Sequence, residues 1–159
     1  FSFGSFKIYL DGSLGAHNAH LKEPYADRPN DRGFAFYSVD ALIRLIQKAN
    51  HYAKQLAIHV IGDEALEKCL QAFEYVMPLA NSRMMHRLVH VQMASRSQLS
   101  RIQRLPLWIN LQPVFAEADQ QMAMSRLGLL RLKEIGYPYQ SVALDKIPFS
   151  LSYPAHPSL

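Results

Sequence analysis

Cysteine is almost missing from these 159 residues: there is one, Cys69. A single thiol excludes an internal disulfide framework, so a reducing setting, the cytoplasm, is expected. No methionine opens the chain, which starts abruptly on the apolar "FSFGSFKIYL". A cut from something longer is therefore expected, with any leader at the true N-terminus out of view. No apolar run approaches the roughly 18 residues that suggest a membrane span, so no membrane partner is expected. Acidic residues are absent between Tyr75 and Ala116, and none follows Asp145. The first gap holds Arg83, Arg87, Arg96, Arg101 and Arg104, in a chain whose formal charge is +4. A nucleic-acid interface would set such residues on one face with aromatics between them. Here they are spread over a turn, a strand edge and an amphipathic helix, with only Trp108 nearby. A solvated basic helix face is the expectation, and no nucleic-acid partner.

What is present is a chain 49% hydrophobic, long enough to bury one core. Residues Phe6 to Leu10 read as a strand running into the loop "DGSLG", and Ala16 to Gly33 as a loop. Ser38 caps a helix with Leu42, Ile43, Leu45, Ile46, Ala49 and Ala53 at helical spacing. The strand "LAIHV" turns on Gly-Asp into a second helix, which Pro78 stops. The unit then repeats: strand "HRLVHVQ", a Ser95-capped helix ended by Pro106, and strand "LWINLQ". A helix with Met122, Met124 and Leu127 closes near Gly128, then come the loop "YPYQS" and a last strand, "IPFSL". Alternation at this regular length marks a parallel α/β architecture.

One β/α repeat, roughly 30 residues, separates His59 from His90, and both stand at or near strand C-termini. In a closed β/α barrel those ends converge on one site. Two neutral imidazoles from adjacent strands can then share a divalent ion, which lowers the pKa of its water to about 7. The bland alternative is a pair of packed core histidines. Lys7 lies inside an apolar strand, where a cation is costly unless paired, modified or snorkelling to water. It shares strand parity with Asp11, which either orients a ligand or caps its turn. Asp63 reads as a helix N-cap before any chemical role. His17 and His20 are loop residues open to a surface or a substrate-contact reading. Gln92 and Gln112 end successive strands, where amides bind substrates. His86 starts its strand and belongs at the structural end of a barrel, while Met122 and Met124 read as packing.

"KIYLDGSLG", "AIHVIGDEAL", "RLVHVQ" and "NLQPVFAEAD", in this order and spacing, resemble the YtcJ-like branch of the metal-dependent amidohydrolase superfamily (amidohydrolase family 3). That branch includes N-substituted formamide deformylases, and some members are labelled exoenzyme regulatory proteins. The resemblance implies a TIM-like β/α barrel with one or two divalent metals, zinc the expected one. It implies hydrolysis of C–N bonds in small amide-like substrates by a metal-activated water. Lys7 matches the family's strand-four lysine, a carboxylated metal ligand, and His59 and His90 match the ligands of strands five and six. Asp11 to Gly15, and so Gly12 and Ser13, match the loop lining the substrate pocket. His17 stands where many relatives have arginine. The family's His-x-His motif is missing, and Tyr153 and Pro154 stand where an aspartate ends the last strand. By this count residues 1–159 form the C-terminal part of the barrel, about strands four to eight. Open edges would then favour a homo-oligomer. The parent is expected to be an enzyme and this piece inactive, the alternative being a non-catalytic ligand-binding or regulatory scaffold.

Overall fold

The computed structural model describes residues 5–79 and 84–152. Five strands, β1 (Phe6–Tyr9), β2 (Leu56–Val60), β3 (His86–His90), β4 (Leu107–Leu111) and β5 (Phe149–Leu151), form one sheet in chain order. Every neighbouring pair is parallel. Helices α1 (Val39–His51), α2 (Asp63–Val76) and α3 (Arg96–Arg104) make the first three crossovers. The fourth is built of α4 (Val114–Ala118), α5 (Gln120–Leu127), α6 (Leu129–Ile135) and α7 (Tyr139–Leu144). A parallel sheet that never reverses its strand order is wound as a barrel is, and the chain forms a partial, barrel-like β/α arc.

Local chemistry explains most boundaries. Ser38 is extended and its hydroxyl accepts the Ala41 N–H at 3.2 Å, which starts α1 with Asp40 in its positive first turn. Ser95 and Gln98 satisfy each other's backbone donors in a capping box that opens α3. The expected Asp63 cap is not formed. Gly62 holds the cap position without a side-chain bond, and Asp63 is the first helical residue, its carboxylate accepting the Lys22 N–H at 3.1 Å. That partner lies far upstream and satisfies the carboxylate better than its own helix terminus does.

Strand parity divides the sheet between two faces. Leu56, Ile58 and Val60 join Leu42, Ile46, Leu66, Leu70 and Phe73 in the main core between sheet and helices. A second cluster, with Leu14, Leu21, Tyr25, Ile61, Met93 and Leu127, packs the loops beyond the strand C-termini. The strand termini are thus roofed by their own connections. Helices α6 and α7 were not expected. Gly128, at φ 75°, breaks the run after α5, and the helices beyond it are too short to show a 3.6-residue stripe. Arg83, Tyr153 and Pro154 lie outside the described residues. Among the described residues, no helix is long and apolar enough to cross a membrane.

His86 behaves as a structural group. It is fully buried; its Nδ1 accepts the Leu56 N–H at 3.1 Å and its Nε2–H donates to Asn50 Oδ1 at 3.1 Å. Burial lowers its pKa from the ordinary 6.5 to about 4. The unfolded chain therefore takes up a proton near pH 6.5 that the folded chain refuses until about 4, so stability falls as pH drops across that window. His86→Leu is expected to lose about 2 kcal/mol at neutral pH, since it strands the Leu56 N–H and Asn50. It should also flatten the stability profile below pH 6.5, as measured by urea unfolding at a series of pH values.

Candidate metal centre

The site begins in the loop after β1. Asp11 is buried, and its carboxylate accepts N–H groups from Ile61 (2.9 Å), Gly62 (2.8 Å) and His20 (3.0 Å). Burial raises this carboxyl to about 7, against the three donors, which favour its anion. The parity expected between Lys7 and Asp11 ends with the strand: β1 stops at Tyr9, Lys7 is exposed and Asp11 turns inward. Next to it, Gly12 has no room for a side chain, because a Cβ there would lie 2.0 Å from Asn18 Oδ1. That Asn18 oxygen accepts the Ser13 N–H at 2.7 Å. The loop is pinned, and the Gly12 carbonyl stands 2.9 Å from His59 Nε2.

A carbonyl only accepts, so Nε2 carries the hydrogen and Nδ1 of His59 carries the lone pair. That Nδ1 is buried and has no hydrogen-bond partner among the described residues. His90 arrives differently. Along β3 it would share the face of His86 and Leu88, against the helices. Instead His90 (φ 79°) and Val91 (φ 49°) are both left-handed, a conformation costly for residues with a Cβ. The turn lays the His90 ring edge-on against His59, with centroids 4.6 Å apart. Burial lowers both histidine pKa values, that of His90 to about 4, with His59 and Lys7 adding to the effect on His90. The pair stands as neutral imidazoles at neutral pH, the form that binds metal.

Asp11 Oδ1 lies 4.0 Å from His59 Nε2, and Lys7 stands on the neighbouring strand β1. Lys7 pairs with Ala57 across the sheet, and its Nζ lies 5.0 Å from the Tyr9 ring centroid, while the Tyr9 ring is tilted against His59 with centroids 5.0 Å apart. Among the described residues no three of His, Cys, Asp and Glu gather as a metal-binding group. Two imidazoles, those of His59 and His90, face each other as candidate donors for a divalent ion, with Lys7 on the strand beside His59. The free, buried Nδ1 of His59 beside a neutral His90 fits such an ion.

Two cavities meet at His59 and Ser13. One, of about 760 Å³, runs along the β1 side past Lys7, Tyr9, Gly12 and Phe36. The other, of about 280 Å³, is bordered by His59, His90, Gln92, Phe115 and Asp119. Gln112 does not border either; its amide donates to Ser152 Oγ at 3.0 Å, in a ladder with Asn110 and Ser150. His17 is buried, with Nε2 3.1 Å from both oxygens of Asp27 and its ring edge-on to Tyr25. Arg126 holds the other side of Asp27. Met122 packs into the second core cluster as expected, whereas Met124 is largely exposed. Phe115 and Asp119 belong to the stretch "NLQPVFAEAD", and neither is expected in the site from the sequence alone. The visible signal was the place of that stretch just after a strand C-terminus.

The same parallel arc is found in metal-dependent hydrolases. A metal-dependent hydrolase from Pyrococcus furiosus superposes with a TM-score of 0.82 at 31% identity, over 96% of this chain and 31% of that one. The Aspergillus niger ochratoxinase, at 15% identity and a TM-score of 0.58, shares the fold alone. The amidohydrolase family profile matches residues 1–152, and the chain belongs to that family. YtcJ of Bacillus subtilis (strain 168) is 41% identical over 131 residues, 82% of this chain and 24% of its own length. Protein LONG AFTER FAR-RED 3 of Arabidopsis thaliana is 30% identical over 140 residues, 87% of this chain and 24% of that protein. The chain thus spans about a quarter of each of these curated relatives.

The left-handed backbone at His90 has a measurable cost. Glycine tolerates φ 79° and alanine does not, so His90→Gly should be more stable than His90→Ala by about 1 kcal/mol in denaturant unfolding. Equal stabilities, or a more stable alanine variant, would mean that no strain is held there.

Proposed function

We propose that the protein containing this chain is a metal-dependent hydrolase that cleaves C–N bonds other than peptide bonds in small amide-like substrates. In this reading His59, His90 and a carboxylated Lys7 hold a divalent ion, zinc the favoured one. The observation that carries it is the buried, unpartnered Nδ1 of His59, set against a neutral His90 with ring centroids 4.6 Å apart. A buried nitrogen lone pair with no donor is unfavourable in a finished core and ordinary in a metal ligand. When bound, such an ion polarises a carbonyl and brings the pKa of water to about 7.

The chain's own residues prepare that chemistry. The Gly12 carbonyl fixes the tautomer and ring orientation of His59, and Asp11 fixes the loop that carries Gly12. Burial keeps both imidazoles unprotonated. Lys7 stands exposed on an outer strand, open to carbon dioxide, and carboxylation would turn its cation into an anionic oxygen donor. Gln92 and Ser13 supply polar groups where a substrate would lie.

The test is metal per chain, by elemental analysis after zinc loading and dialysis, on the wild type, His59→Ala, His90→Ala and Lys7→Ala. Retained zinc is expected in the wild type, with a loss of roughly tenfold or more in each histidine variant and a smaller loss for Lys7→Ala. Equal metal in all four proteins, with folding confirmed by circular dichroism, would contradict the reading. It would favour a ligand-binding scaffold without a metal.

A further inference from the structure

The 280 Å³ cavity beside the histidines is walled by Leu14, Ile61, Phe115 and Met122, and one charged residue borders it, Asp119. Apart from the two histidines, Asp119 is the only ionisable side chain on that lining. It sits at the joint of α4 and α5 with φ −93° and ψ −2°, and its side chain makes no capping bond to α5. Among the described residues no cation pairs with it. Other carboxylates here find partners: Asp27 has Arg126, Glu67 has Arg101 and Lys22, and Asp145 has Arg96.

One side chain does address Asp119. Tyr137 donates its hydroxyl to Oδ2 over a long 3.4 Å. Tyr137 is itself left-handed (φ 43°), and its N–H donates to the Gln92 carbonyl at 2.6 Å. A left-handed residue thus sets a hydroxyl against one carboxylate oxygen, and among the described residues no hydrogen bond reaches the other. A half-buried carboxylate on an apolar wall, with no counter-ion among the described residues, is open to a ligand cation.

We infer that Asp119 is the specificity-determining residue of this cavity and selects substrates bearing a primary ammonium on a compact hydrocarbon body. The carboxylate takes the ammonium in a charge-assisted hydrogen bond, and Leu14, Ile61, Phe115 and Met122 take the hydrocarbon. An apolar cavity of about 150 Å³ holds a benzene ring. A space of 280 Å³ therefore admits a six-carbon ring with a short polar end. The inference rests on the hydrolase reading only in calling this ligand a substrate.

The experiment compares cyclohexylammonium with cyclohexanol, equal in shape and different in charge, on the metal-free chain at pH 7. Binding is followed by the Met122 methyl resonance in protein carrying 13C-methyl methionine, assigned through Met122→Leu. The ammonium should bind about tenfold more tightly than the alcohol in the wild type. Asp119→Asn should bring the two within about twofold while leaving cyclohexanol affinity unchanged, and Asp119→Glu should keep part of the preference. Equal affinities in the wild type, no shift at Met122 with either probe, or a preference that survives Asp119→Asn would overturn the inference. Because no metal is present, failure here is separate from failure of the zinc-retention test.

Discussion

One carboxylate, that of Asp11, takes backbone N–H groups from His20, Ile61 and Gly62, and so ties the loop after β1 to the turn after β2. Neighbouring strands of a parallel sheet share hydrogen bonds along their length, but their loops share nothing by default. Asp11 supplies that missing connection at the end where ligands gather in β/α folds. From it follows the placement of Gly12, whose carbonyl receives the Nε2–H of His59. The free Nδ1 is thus the last member of a chain of positions that starts with a buried acid.

The second constraint is strain. Two successive left-handed residues, His90 and Val91, end β3, and the first carries the partner ring. Such conformations persist only where the surroundings over-determine them, and here Val91 is buried while its N–H bonds the Val60 carbonyl at 2.9 Å. The fold spends stability to turn His90 away from the helix face it would otherwise occupy. Packed core histidines need no such turn, and His86 on the same strand shows what one looks like: regular backbone and both ring nitrogens partnered.

Much of the arc was legible in the sequence because apolar spacing, serine caps and stop prolines agree with one another along the first four strands. His59 and His90 were legible through their strand-end positions one repeat apart. What escaped depends on contacts distant in sequence. Asp63 looked like a cap because its partner, the Lys22 N–H, lies 41 residues away, and His17 read as a surface or substrate-contact residue because its pairing with Asp27, which Arg126 holds in turn, has no signal in the sequence. Parity linked Lys7 to Asp11, yet the strand is only four residues long and the link ends with it. Asp119 was hidden between two short helices whose turn carries no periodic signal.

The central claim is that the fold presents His59 through Nδ1 to a metal shared with His90. Histidine-ring 15N NMR during a zinc titration of the chain tests it most directly. The account requires the His59 Nδ1 resonance to move to the coordinated range while Nε2 stays protonated against Gly12, with His90 changing in step. Zinc that left both rings unchanged, or that bound His59 through Nε2 and broke the Gly12 bond, would contradict it.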